Sequence, residues 1–309
     1  MGAYVIRRVL AFVPTILVVY TIVFVLMHAT PGGPWDDIGR RPLLPEVKAN
    51  LDRKYHLDDP LPQQYLSYLG SALQGDLGPS YRTQSRNVTD IIGDFFPVSF
   101  QLGVLAMLIA VSVGVPLGLL AAARRDSWVD RAVMFSAVVG ISTPSFVVAT
   151  VLIVVFAVQL HWVPTLGWDG IFSTRAIIPA LSLAIPAIAA LARYTRSSML
   201  DVIRQDYIRT ARSKGLRELT IVLRHAAKNA LIPVITVTGI YFAFVVTGSF
   251  YVEVITGVPG LGRYFVTSIA ARDYPVIMGT TLLFALIVMV MNLVVDLAYA
   301  FVDPRIRYE

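Results

Sequence analysis

Six long stretches without a charged residue divide the chain: 9–35, 95–123, 132–168, 176–192, 229–252 and 274–295. Each can supply the roughly 17 to 25 apolar residues that a helix needs to cross about 30 Å of hydrocarbon. The pattern predicts an all-α, polytopic membrane protein with six transmembrane helices. The third stretch has room for two crossings. Its end, HWVPTLGWDG, carries the Trp, Pro and Gly of an interfacial loop, so one crossing is expected, bent at Pro144 of STPSF because proline forfeits a backbone hydrogen bond. The first stretch follows Arg7 and Arg8 as a signal peptide would. Its apolar core, 9–27, exceeds the roughly 7 to 15 residues of a signal h-region and MHATPGG is a poor cleavage site, so it is read as a retained span.

The polar interval defines the rest of the layout. Residues 1–30 form the first transmembrane helix, 31–94 a small extracytoplasmic cap, 95–303 the main membrane domain and 304–309 a cytoplasmic tail. In the cap, LPEVKANLDRKYHLDD and PLPQQYLSYLGSALQGDLG read as two short helices, with Tyr65, Leu66, Leu69 and Leu73 at helical spacing. After span five, Gly257, Pro259, Gly260 and Gly262 break the helix into a bent or re-entrant element at the outer surface. No internal repeat or low-complexity tract divides the membrane domain.

The composition, 56% hydrophobic and 15% charged, agrees with a membrane protein. With the N-terminus inside, inner segments carry 16 Lys and Arg against 10 outside, which favours both termini in the cytoplasm. The absence of cysteine excludes disulfides and thiolate chemistry. The four histidines, His28, His56, His161 and His225, make no HExxH pattern, and no GxSxG occurs, so no catalytic residue and no metal site is expected and an intramembrane hydrolase is disfavoured. His56 has no second histidine at ligand spacing and reads as a surface or packing residue. Asp296 is the one acid expected within a span, one turn after Asn292, and is expected to pair with an arginine of the basic segment. It is also the feature an ion-coupled secondary transporter would use, although such proteins place acids near the midplane. Hydroxyls at Ser142, Thr143, Thr247 and Ser249 are candidates for a translocation path.

One interruption of the apolar pattern asks for a reason: RTARSKGLRELTIVLRHAAKNALIP, residues 209–233. Between 193 and 228 stand nine basic residues and three acids. Met199, Leu200, Ile203, Tyr207, Ile208 and Ala211 form an apolar stripe on a helix whose other face holds Arg204, Asp206, Arg209 and Arg212. That helix should run to Gly215, with Lys214 in its last turn and the glycine as left-handed cap. A second helix then starts near Glu218, with Leu219, Val222, Leu223, Ala226, Ala227 and Ala230 on one face. Positive-inside topology and anionic lipid explain part of the charge. Nucleic-acid binding is disfavoured because no aromatic interleaving or binding motif accompanies it. A docking element whose apolar stripe enters a groove of a cytoplasmic partner is the third reading.

At these residues the chain resembles a known family. TARSKGL followed by HAAKNALIP resembles the EAA loop of permease subunits of binding-protein-dependent ABC importers. YVIRRVLAFVPTILVVYTIVFVLMHATPGGP, YHLDDPLPQQYLSYL, GDLGPSY, RSSMLDVIRQDYIRTARSKGL, PGLGRYFVTSIAARDYPVIMGTTLLF and NLVVDLAYAFVDPRIR extend the resemblance to the B-type permease of the dipeptide, oligopeptide and nickel group over essentially the whole chain. The Glu-Ala-Ala that names the loop reads Arg209, Thr210, Ala211 here. The resemblance implies a transport subunit, not an enzyme, that carries peptides, with nickel or other small solutes as alternative cargo. It implies a homologous second permease as heterodimer partner, two ATP-binding subunits that hold ATP and Mg, and a peptide-binding protein delivering to the outer face. No cofactor is implied for this chain, and no GxxxxGK[ST] loop is present to bind ATP. Arg209, Thr210, Ala211, Lys214, Gly215, Leu216, Arg217 and Pro233 are implied as the ATPase-coupling residues, with a coupling helix over about 209–220. The implied location is the bacterial inner membrane.

Overall fold

The computed structural model describes residues 2–36, 44–83, 85–217, 220–247 and 249–302. The expected tail at 304–309 lies outside the described residues, as do Glu218 and Leu219, where the sequence places the start of the second helix of the basic segment. Among the described residues the regular structure is helical apart from one isolated bridge between Pro79 and Asn87. Among the described residues five helices are long and apolar enough to cross a membrane, and there are six if a pair bent by 103° counts as one span.

Helix α1 (Gly2–Ala29) runs along α12 (Tyr274–Val302), with Tyr20, Phe24 and Met27 packed on Tyr274 and Met278. At the opposite end of the pair, Asp296 accepts Nε and Nη2 of Arg8 at 2.9 and 2.6 Å. This corrects the expectation that Asp296 pairs with the basic segment: its acceptor face meets the first span instead. The cap helices form as expected, α2 (Pro45–Lys54) and α3 (Leu61–Leu73), each with proline in its first turn, where the missing N–H costs nothing. The Tyr20 hydroxyl donates to the Tyr65 carbonyl at 2.6 Å and so holds α3 to α1.

Helix α4 (Val88–Ala123) begins seven residues before the uncharged run, because Asn87 and Asp90 make a reciprocal capping box that satisfies its free N–H groups. It packs on α7 (Ile177–Ile203), the most enclosed span: 67% of an apolar 18-residue stretch of it is buried, against 11% in α1. The approach is possible because Gly114 and Gly118 present no side chain: a Cβ on Gly118 would lie 2.5 Å from the Ala192 carbonyl oxygen. This small-xxx-small pair is the packing device of membrane helices, and α7 answers it with alanines at 184, 187, 189, 190 and 192.

Between them, α5 (Trp128–Ser142) and α6 (Ser145–Leu152) meet at 103°, and α6 continues as π-helix over Ile153–Gln159. Pro144 was expected to bend a continuous helix, but the structure breaks it. Thr143 is extended, at φ −94° and ψ 119°, as the residue before proline prefers, so two residues leave the helix together.

The predicted helix ending at Gly215 also proves to be two. Helix α7 stops at Ile203, Gln205 is extended, and α8 (Asp206–Ser213) starts afresh. The break turns Ile208 and Ala211 back beneath the bundle, onto Ala122, Met199, Ile221, Ala226 and Ala227. A straight helix would leave these side chains in water. The chain returns through π-helical Ile221–Ala226 into α9 (Ala227–Thr247), then α10 (Phe250–Thr256) and α11 (Leu261–Ala271) before α12. The expected break after span five is therefore a short helical hairpin, turned by Gly257 at φ +68°.

Candidate functional site

The basic corner is built on backbone geometry. Gly215 has φ +72°, a conformation that costs glycine nothing, and its N–H donates to the Arg212 carbonyl at 2.9 Å while Leu216 N–H reaches Ala211 at 3.4 Å. Asn229 donates to the Tyr207 hydroxyl at 2.8 Å and ties α8 to α9, and the Ser198 hydroxyl donates to the Ala230 carbonyl at 2.7 Å, joining the two spans that flank the corner. Arg209, Thr210, Lys214, Gly215, Leu216 and Arg217 are exposed, and Ala211 is buried. Pro233 is exposed inside α9, about two turns past its start.

The apolar stripe thus has a different use from the one its pattern suggested. Ile208, at 0% exposure, and Ala211 fasten α8 to its own bundle, and what faces outward is the charged side with Tyr207 and Leu216. A partner at this corner meets cations, hydroxyls and two apolar side chains. Near the same end of α7, Asp130 of α5 accepts both Nε and Nη2 of Arg196 at 2.5 and 2.6 Å, which fixes the start of α5 to α7.

Among the four hydroxyls proposed for a path, Ser142 is exposed at the end of α5. Thr143 and Thr247 each donate to the carbonyl four residues earlier, Val139 and Ala243. Ser249 is 1% exposed and donates to Glu253 Oε1 at 2.5 Å. Ser249 is therefore part of a buried polar cluster.

That cluster was not anticipated. Asp296, the one acid the sequence places within a span, has a side chain 20% exposed against 4% for that of Asp130, and Glu253 and Asp273 are buried as whole residues. These three stand at the edges of uncharged runs, where a charge ordinarily marks the water phase. Ser249, one turn before Glu253, and the PGLG that follows were the available signal. Asp273 receives the Ser80 hydroxyl at 2.5 Å and the Tyr81 and Arg82 N–H groups at 3.0 and 3.3 Å, so it binds the cap to the start of α12.

Between cap, α1 and α12 lies a cavity of about 250 Å³, lined by Tyr55, Tyr68, Tyr81, Tyr274, His28 and His56 among others. Burial holds the Tyr68 and Tyr81 phenols protonated, well above the usual tyrosine range, with Asp273 adding to the effect at Tyr81. Asp36, in the same cap, is held below the usual carboxylate range, first by the Gly33 N–H and then by Lys48. His56 sits 3.6 Å from Asp59, and among the described residues no group of three His, Asp or Glu could hold a metal ion.

Residues 114–308 match the family described as "Binding-protein-dependent transport system inner membrane component", and 1–103 match its N-terminal companion, "Binding-prot-dependent transport system membrane comp, N-term". The chain is 48% identical over 307 residues to the dipeptide transport system permease protein DppB of Bacillus subtilis (strain 168), covering 99% of this chain and 98% of that one. It is 43% identical over 305 residues to the oligopeptide transport system permease protein OppB of Escherichia coli (strain K12), with 99% of each covered. It is 42% identical over 306 residues to the glutathione transport system permease protein GsiC of Pectobacterium atrosepticum, again with 99% of each covered. An inward-facing structure of the MetNI methionine ABC transporter superposes with a TM-score of 0.57 at 18% identity, over 69% of this chain and 96% of that one, a likeness of fold.

Proposed function

This chain belongs to the inner membrane components of binding-protein-dependent transport systems, and from that membership we infer how it takes part in peptide import. It is a multi-pass permease subunit of an ABC importer, and ATP hydrolysis belongs to separate subunits. The observation that carries the peptide reading is the 48% identity to a dipeptide permease along 99% of the chain. In this reading the permease pairs with a homologous second permease, two ATPase subunits with their ATP and Mg sit under the 209–217 corner, and a peptide-binding protein docks over the cap. Both termini and the basic corner share the cytoplasmic side. The corner, whose α8 is tied to α9 through Tyr207 and Asn229 while Ser198 joins α7 to α9, is suited to pass movement of the ATPases to these two spans.

The test is peptide uptake by the reconstituted complex with its binding protein, without a proton or sodium gradient. Uptake should follow ATP, and uptake indifferent to ATP would sink the reading in favour of an ion-coupled carrier. Coupling through the outward face makes a further expectation. Arg209→Glu or Arg217→Glu should lower recovery of the ATPases with the purified permease about tenfold, since each reversal turns an attraction into a repulsion. Unchanged recovery would assign these charges to lipid.

A further inference from the structure

Glu253 is fully buried on α10, and among the described residues its hydrogen bonds come from hydroxyl and backbone N–H groups. Its partners are neutral and come from three places. Oε1 accepts the hydroxyls of Ser99 on α4 and of Ser249 before α10, at 2.7 and 2.5 Å. Oε2 accepts the Arg263 N–H in the first turn of α11 at 3.3 Å, and Ser99 Oγ in turn accepts the Leu261 N–H at 2.9 Å. A Cβ on Gly260 or Gly262 would fall 2.5 or 2.8 Å from Oε2, so the PGLG turn is closed around this carboxylate.

The other end of α11 is held in a similar way. Asp273, two residues past its end, gathers Ser80, Tyr81 and Arg82 of the cap, and Arg82 Nε donates to the Ala271 carbonyl at 2.7 Å. Helix α11 is thus a short bar fastened to the membrane helices at one end and to the cap at the other. A permanent joint is made more cheaply from apolar side chains, because a buried carboxylate gives up hydration that hydroxyl and N–H partners only partly replace. A joint of hydrogen bonds has one advantage: when it opens, water takes over every bond.

Building on the import reading, we propose that Glu253 is a positioning residue for transport, a latch that holds α11 against α4 and releases it in each cycle when the cap is displaced. The cap's grip on Asp273 carries the displacement, and Glu253 sets how readily α11 leaves.

The chain has no cysteine, which permits a direct test. The rings of Phe95 on α4 and Tyr264 on α11 are 4.4 Å apart. In the full complex, Phe95→Cys with Tyr264→Cys, joined by a short bis-methanethiosulfonate reagent that forms a disulfide to each thiol and releases a sulfinate at each, should lose at least about tenfold of its peptide uptake and regain it on reduction. Tethered complex that transports at the rate of its untethered parent overturns the latch. Glu253→Gln keeps a carbonyl oxygen for the two serines but sets an amide NH2 against the Arg263 N–H, and should fall between the parent and Glu253→Leu. Glu253→Leu, compared at equal amounts of assembled complex, should hydrolyse ATP about tenfold faster without binding protein, since losing even one bond to a charged group is worth that factor. Coupled, parental behaviour of Glu253→Leu also overturns the proposal, and if that variant does not assemble the tether decides. A parent driven by ATP whose tethered form matches it refutes the latch alone; a parent indifferent to ATP refutes the import reading and the latch together.

Discussion

Gly118→Val is expected to remove nearly all folded permease from the membrane. The new Cβ would meet the Ala192 carbonyl oxygen at 2.5 Å and Thr195 Cβ at 2.6 Å, and one turn earlier a Cβ on Gly114 would meet the Ile188 carbonyl oxygen at 2.8 Å. The obstacle is backbone, so no rotamer relieves it and α4 must back away from α7. Overpacking a tight interior costs roughly 1–3 kcal/mol even where side chains can yield, and here the whole central contact is lost. Thr195→Ala should not rescue the variant, because the carbonyl remains. Gly93→Val, on the same helix but with nothing within 4 Å of the added Cβ, should accumulate normally. Membrane content and size-exclusion profiles of the three variants measure this, and a well-folded Gly118→Val would show that α4 and α7 do not pack as described.

Gly215→Val should give the opposite phenotype: normal assembly with uptake lowered about tenfold while ATP hydrolysis persists. Nothing lies within 4 Å of a Cβ at this position, so space is not the issue. The cost is φ +72°, which a residue with Cβ holds at roughly 1–2 kcal/mol, and a β-branched one at more. The chain relieves that strain by swinging the segment beyond Ser213, and the charged face of α8 loses its fixed angle to α9. Asparagine tolerates the left-handed region, so Gly215→Asn should restore most uptake. ATP-dependent uptake and hydrolysis measured on the same preparation separate the two quantities. Parental uptake in Gly215→Val would mean that the corner transmits nothing.

The spans were legible because uncharged runs of this length have one stable home, and the cap helices and the left-handed Gly215 were legible from spacing and residue type. What escaped depends on neighbours distant in sequence. The stop at Ile203 has no local breaker: it follows from Ile208 and Ala211 finding a core beneath the bundle. The partner of Asp296 lies at the other end of the chain, on Arg8. Glu253 and Asp273 carry the same charge as solvent-exposed acids at run ends, and their burial appears once Ser99 and Ser80 are brought to them through the fold. The Gly114, Gly118 pair was present in the sequence, but its meaning required the alanine face of α7 opposite.

The ion pair between Arg8 and Asp296 also decides a matter of parity. Arg8 stands near the beginning of the first crossing and Asp296 near the end of the last, and atoms 2.6 Å apart share one face of the bilayer. A chain that starts and finishes on the same face has crossed an even number of times. Among the described residues, five straight helices are long and apolar enough to cross. If those five helices all cross, an even count asks one more passage of the right-angled pair α5 and α6, which passes the test of length and apolarity only when its two helices are taken together, and its broken middle at Thr143 and Pro144 would then lie on the route between the two faces.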